Sequence, residues 1–129
     1  MRNPLRVTPT LLIVDDHEGF RSFARTLLGA EAFDVAGEAA DGEAALAAVR
    51  ELRPDVVLLD VQMPGIDGFE VAQRLAAEPQ APGVVLTSSR DASDYGSRLA
   101  RVPVLGFVRK QELSCAAVAA LLRPAPGAT

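Results

Sequence analysis

The chain has 129 residues, 49% of them hydrophobic and 23% charged, with a formal net charge of -4. That length suits one domain able to bury a real core, and the apolar content excludes disorder outside the ends. The negative balance argues against a nucleic-acid-binding surface, which is ordinarily basic.

Residues 1–9 read as a lead-in, and the short apolar run after it cannot form a signal-peptide core or cross a membrane. The expectation is a cytoplasmic protein without membrane contact. Leu11-Leu12-Ile13-Val14 is a buried strand that stops at Asp15-Asp16. From His17 to Ala30 the residues Phe20, Ala24, Leu27 and Leu28 fall at helical spacing, with Phe23 beside them, and Phe20, Phe23 and Leu27 are expected in the core. Phe33–Gly37 alternates as a half-covered edge strand does. Asp41 caps a helix running to about Leu52, with Glu43 in the first turn, where a negative charge suits the dipole.

Val56-Val57-Leu58-Leu59 then runs unbroken into Asp60, and a Met63-Pro64-Gly65 turn follows, the pattern of a strand buried on both faces. Asp67 caps the next helix, whose inner face is expected to hold Phe69, Ala72, Leu75 and Ala76, and Pro79 stops it. Val84–Leu86 is another buried strand, ending at Thr87-Ser88-Ser89. The polar stretch Arg90–Arg101, with Gly96 inside it, is expected as a helix. Val104–Val108 is a strand, but Pro103 and Gly106 make it an edge, because proline lacks the donor a ladder needs. Glu112–Leu122 is an Ala-rich closing helix. It holds the single cysteine, Cys115, which cannot form an internal disulfide and fits a reducing cytoplasm. Residues 123–129 read as a flexible tail or the start of a linker.

Strands alternating with helices imply an α/β fold, a doubly wound parallel sheet over residues 10–122. The three fully apolar strands belong in its centre and the two weaker ones at its edges.

Parallel strands deliver their carboxyl ends to one rim, where open α/β sheets bind ligands. Asp15-Asp16, Asp60 and Thr87 each close a strand, and Lys110 joins them from the edge. Two unit charges about 4 Å apart repel by roughly 4 kcal/mol at an effective dielectric of about 20. Such a cluster raises its pKa values or holds a cation. Oxygen ligands suit Mg²⁺, which keeps several waters and is completed by phosphate, and no His or Cys cluster favours zinc. Asp60 then becomes a nucleophile for phosphorus, with a Thr87 hydroxyl and a Lys110 ammonium to hold the transferred group. Of thirteen basic residues, twelve are arginine, and the one lysine falls at 110, where a compact charge fits better than a planar fork. Ser88 is the rival to Thr87. His17, the only histidine, is expected to be a solvated first-turn residue.

The pieces Ile13-Val14-Asp15-Asp16-His17, Leu58-Leu59-Asp60-Val61-Gln62-Met63-Pro64-Gly65-Ile66-Asp67-Gly68, Val85-Leu86-Thr87-Ser88 and Gly106-Phe107-Val108-Arg109-Lys110 resemble the response-regulator receiver domain of bacterial two-component signalling. The resemblance runs from about Thr10 to Leu122. It implies a flavodoxin-like (βα)5 fold with strand order 2-1-3-4-5. It also implies that Asp60 is the phosphoacceptor, charged by a sensor histidine kinase or a phosphotransfer protein. Asp16 and Asp60 would bind Mg²⁺ with the backbone carbonyl of Gln62, and Asp15 would act largely through water. Thr87 and Lys110 would contact the phosphoryl group, and Thr87 and Phe107 would form the switch. The 90–122 face would serve a partner or a homodimer.

The chain departs from the family pattern at three places. Phe107 stands where tyrosine is frequent, so the switch must work by packing. Gln111 follows Lys110 where proline is common, which weakens the case for a cis peptide. The helix after Thr87 contains Gly96 and is expected to be short or mobile, which bears on the shape of the output face. The exposed amide of Gln62 is a candidate for positioning water. Two other readings compete with the switch. One is the receiver half of a DNA-binding transcriptional regulator whose effector domain lies outside this chain. The other is a small Mg²⁺-dependent phosphatase with an aspartyl-phosphate intermediate, against which Gln62 occupies the position of the acid/base.

Overall fold

A computed structural model describes residues 8–30 and 32–122. The tail expected over 123–129 lies outside the described residues, as does all of the lead-in except Thr8 and Pro9. Five strands, β1 (Thr10–Val14), β2 (Asp34–Ala39), β3 (Val56–Asp60), β4 (Gly83–Ser88) and β5 (Gly106–Arg109), alternate with helices α1 (Glu18–Gly29), α2 (Gly42–Leu52), α3 (Gly68–Ala76), α4 (Ser97–Arg101) and α5 (Cys115–Leu122). All pairings are parallel and the sheet order is β2-β1-β3-β4-β5. The apolar strands β1, β3 and β4 are central, and the edges are the two weaker strands, as their composition dictates.

Side chains alternate between the two faces of each strand, so the sheet sorts its residues into two cores. Leu12, Val14, Leu59 and Leu86 join residues of α2 and α3 in one core. Leu11, Ile13, Leu58, Val85 and Val108 join Ala24 and Leu28 of α1 and Val118 of α5 in the other. Leu11, Leu12, Ile13, Leu58, Leu59 and Leu86 are all essentially fully buried. Each contributes about 1.5–3 kcal/mol by leaving water, which holds the three central strands rigid under the rim.

The helix starts follow their caps. Asp41 accepts from Ala44 N at 2.8 Å and Asp67 accepts from Glu70 N at 3.0 Å, each satisfying a donor the first turn leaves open. Gly68 opens α3 directly on the end of β3. A Cβ there would lie 2.4 Å from the Asp60 carbonyl oxygen and 2.8 Å from Val61 Cα, so only glycine permits the approach.

Several expectations need correction. Phe23 is 54% exposed, because α1 turns only a narrow face inward, centred on Ala24 and Leu28. Phe20 and Leu27 are half-buried at its margins. In α3 the inner face is Gly68, Phe69, Val71, Ala72 and Leu75, while Ala76 falls one position past it and is exposed. The stretch expected as one helix over Arg90–Arg101 is broken into a 3-10 turn at Ala92–Asp94 and the five-residue α4. Gly96 between them has φ +53, which ends one helical path before the next begins. The edge strand β2 runs two residues further than the alternation suggested. β5 starts at Gly106, because Val104 N turns back to Val102 O and only at Leu105, whose N–H donates to Val84 O, does the chain meet β4. The closing helix starts at Cys115 instead of Glu112. Lys110–Glu112 forms a 3-10 turn, Leu113 is extended, and Ser114 Oγ then accepts from Ala117 N.

Candidate functional site

The alternation that sorts the cores also builds the site. Continuing Leu11-Ile13 by one more step of two gives Asp15, and the same step from Leu58 gives Asp60, from Val85 gives Thr87, and from Val108 gives Lys110. All four lie on the α1/α5 side of the sheet at its carboxyl rim. Register adds that Asp60 is paired with Thr87, and Thr87 with Val108.

Asp15 is fully buried and Asp60 is 3% exposed. Ligand atoms of Asp15, Asp16, His17 and Asp60 all lie within 4.8 Å of one another. Lys110 Nζ stands 2.6 Å from Asp15 Oδ2 and 3.7 Å from Asp60 Oδ2. These two contacts pair the ammonium with both carboxylates, while Thr87 Oγ1 is buried with no hydrogen-bond partner. Acidic side chains crowded at one rim beside an unsatisfied buried hydroxyl make a cradle for a cation and an anionic oxygen group. The donor set, dominated by carboxylate oxygens, fits a hard divalent ion.

Burial pushes the Asp60 carboxyl up from 3.8 to about 7, and the Asp15 charge adds to the rise. The Lys110 ammonium and the Gln62 N–H, which donates to Asp60 Oδ1 at 3.3 Å, pull in the other direction. Asp60 is thus the carboxylate most in need of a positive partner.

The other residues singled out divide between the two faces. Ser88 follows Thr87 and points to the opposite face, where its Oγ meets the Tyr95 hydroxyl at 2.5 Å and accepts from Arg90 N at 3.0 Å. Phe107 is half-buried on that same side, against Tyr95. Gln62 is exposed, consistent with a free amide beside the site. His17 is the N-cap of α1, with its ring 69% exposed and Nδ1 3.2 Å from oxygens of both Asp15 and Asp16. The Lys110–Gln111 peptide is trans, and Gln111 Nε2 donates to Ser89 O at 3.0 Å.

Sequence reasoning missed the supports. The Phe20 ring lies 4.5 Å from Lys110 Nζ and steadies it by a cation–π contact. Arg21 donates to the Asp15 carbonyl at 2.8 Å and to Glu38 at 3.0 Å, tying the acidic turn to β2. Tyr95, the chain's only tyrosine, lies between Phe69 and Phe107 at ring distances of 5.4 and 6.0 Å. Its rarity was the one available signal. Phe20 and Arg21 carried none beyond their place in the first turns of α1.

The chain matches the family model of the response regulator receiver domain over residues 11–121. It belongs to that family. This receiver domain is 42% identical over 112 residues to a protein-glutamate methylesterase/protein-glutamine glutaminase of Anaeromyxobacter dehalogenans, covering 86% of this chain and 32% of that protein. It is 44% identical over 84 residues to the DNA-binding response regulator MtrA of Mycolicibacterium smegmatis, covering 65% of this chain and 36% of the regulator. Among solved structures it resembles the signal receiver domain of the response regulator NarL from Mycobacterium tuberculosis. The TM-score is 0.80 at 30% identity, over 92% of this chain and all of that one. The chain thus spans about a third of the length of these two curated relatives. None of the described helices is long and apolar enough to cross a membrane.

Proposed function

We propose that this receiver domain is a cytoplasmic signalling switch that takes a phosphoryl group on Asp60 from the phosphohistidine of a sensor histidine kinase or a phosphotransfer protein. The observation that carries the reading is the meeting of Asp15, Asp16, Asp60 and Lys110 at one rim, beside a buried Thr87 hydroxyl that has no hydrogen-bond partner. Asp16, Asp60 and the Gln62 carbonyl would hold Mg²⁺, with Asp15 acting through water. The ion would supply charge neutralisation on the transferred group. An Asp60 carboxylate oxygen forms the new P–O bond as the P–N bond to the donor's imidazole breaks, and the imidazole leaves with a proton. Lys110 takes up the charge of the phosphoryl oxygens from its place 3.7 Å from Asp60, and Thr87, whose hydroxyl has no other hydrogen-bond partner, donates to one of them. The receiver in this way catalyses its own phosphorylation and the later hydrolysis, in which the exposed Gln62 amide orients water.

Drawing Thr87 toward the phosphoryl group biases two packings of the 90–122 face, which a partner or a second copy reads. A second reading extends the first. Because the DNA-binding relative is about three times the length of the matched stretch, this receiver can be the input half of a transcriptional regulator. Nucleic acid would then be bound by the other half.

Incubation with acetyl phosphate and Mg²⁺ followed by intact mass tests the central claim. One phosphate-sized adduct is expected in the wild type, and none in Asp60→Asn or in EDTA. A normal adduct yield in Asp60→Asn removes Asp60 from the role assigned to it.

A further inference from the structure

The residue beside Thr87 is tied down in a way the phosphoryl chemistry does not require. Ser88 Oγ is bonded to the Tyr95 hydroxyl at 2.5 Å, and Ser88 is 1% exposed. Tyr95 cannot give way easily. Its ring is packed edge-on to Phe69 of α3 at 5.4 Å and against Phe107 of β5 at 6.0 Å. Phe69 is in turn covered by the Arg98 guanidinium at 4.4 Å, which also pairs with Asp67 at 2.8 Å. The rest of the loop after β4 is held by Arg109 of β5 on Asp91 at 3.1 Å and by Gln111 of the following 3-10 turn on Ser89 O. Among the described residues, the Tyr95 hydroxyl is the side-chain group bonded to the Ser88 side chain, next to Thr87.

Direction decides what the tie does. Thr87 faces the Asp60 rim, and Ser88, one residue on, faces the opposite side of the sheet. A bond that draws Ser88 toward Tyr95 therefore draws the end of β4 away from Asp60. We propose that Tyr95 is a positioning residue for Thr87: through Ser88 it restrains the strand end in the unphosphorylated arrangement, and release of that bond accompanies phosphorylation. Phe107 carries no hydroxyl, so the hydroxyl in this switch comes from Tyr95, on a different element. The proposal rests on the reading of Asp60 as phosphoacceptor and Thr87 as its hydroxyl partner.

If the bond favours the resting arrangement, removing it raises the population competent for phosphorylation. One net hydrogen bond corresponds to roughly a fivefold change in that equilibrium. The test compares full-length wild type, Tyr95→Phe, Ser88→Ala and the double variant, with acetyl phosphate and Mg²⁺, following the adduct by intact mass. Tyr95→Phe keeps the ring packing and folds like the parent, which a thermal melt checks. Expected are adduct formation about fivefold faster in Tyr95→Phe, at least as large a gain in Ser88→Ala, which also loses the Arg90 N bond, a double variant no faster than Ser88→Ala, and unchanged Mg²⁺ affinity in Tyr95→Phe. With one tyrosine and no tryptophan, wild-type emission reports Tyr95 alone. It is expected to change on phosphorylation and to stay constant in Asp60→Asn. A Tyr95→Phe rate equal to or below wild type overturns the proposal, and so do gains that multiply in the double variant. No Asp60-dependent adduct in the wild type is a different result: it overturns the phosphoacceptor reading, and the role of Tyr95 falls with it.

Discussion

Asp60→Asn should make the metal-free protein more stable, not less. In the fold, burial and the Asp15 charge lift the Asp60 carboxyl from 3.8 to about 7. A carboxyl whose folded pKa lies above its unfolded value contributes full stability below the unfolded value, and that stability is lost as pH rises through the folded one. The loss therefore develops between about pH 4 and pH 7. At 1.36 kcal/mol per unit, a rise of about three units corresponds to at most about 4 kcal/mol at pH 8. The Lys110 attraction is already included in that net rise. Asparagine keeps the shape and an oxygen for the Gln62 N–H, which now lies 3.3 Å from Asp60 Oδ1, but carries no charge to bury. For a domain of this size roughly 4 °C accompanies each kcal/mol, so the melting temperature should rise by about 10–15 °C in EDTA at pH 8. Thermal melts across a pH series measure it. The gain should shrink toward zero at about pH 4, and saturating Mg²⁺ should narrow it at high pH by stabilising the wild type through mass action. An Asp60→Asn protein no more stable than wild type in EDTA at pH 8, or a gain independent of pH, would refute the account of Asp60 as a buried, repelled carboxylate.

Three further outcomes follow from contacts around the rim. Lys110→Ala leaves the fully buried Asp15 without the ammonium 2.6 Å away, and should lower metal-free stability by about 3 kcal/mol in urea melts. Because the same lysine competes with a cation for these oxygens, calorimetric Mg²⁺ affinity should hold or rise while phosphorylation slows. Gly68→Ala puts a Cβ 2.4 Å from the Asp60 carbonyl oxygen, a backbone atom that cannot step aside, and should destabilise by about 3 kcal/mol. Asp67→Ala removes the cap of α3 together with the Arg98 pair and should lose about 1–2 kcal/mol by the same urea assay.

The sequence carried the sheet and the place of Asp60 at its rim because both are matters of strand pattern. Apolar runs without polar interruption identify strands buried on both faces, and a carboxylate ending such a run must lie at the rim. The caps Asp41 and Asp67 were legible for a similar reason, since a local donor shortage selects their residue type. What was not legible depends on neighbours distant in the chain. Nothing near Phe23 says that α1 buries only the Ala24–Leu28 line. Nothing near Phe20 says that a lysine 90 positions away comes to rest over its ring. The break between Ala92–Asp94 and α4 was signalled by Gly96, whose φ of +53 lies in the region glycine favours, but the five-residue length of the helix that follows was not.

The choice between Thr87 and Ser88 shows how much one added fact changes. Either hydroxyl can end a strand, and the sequence alone leaves both open. Once register pairs Asp60 with Thr87, strand alternation sends Thr87 to the carboxylate face and Ser88 to the aromatic face. Their environments agree with that division, for Thr87 Oγ1 is buried without a hydrogen-bond partner while Ser88 Oγ has two. A buried hydroxyl without a partner is a standing free-energy loss, tolerated where a ligand will later satisfy it. The two adjacent hydroxyls therefore lie on opposite faces of the same strand end, and on the reading proposed above a displacement that satisfied Thr87 would strain the bonds of Ser88. That coupling requires no signal to travel further than one residue.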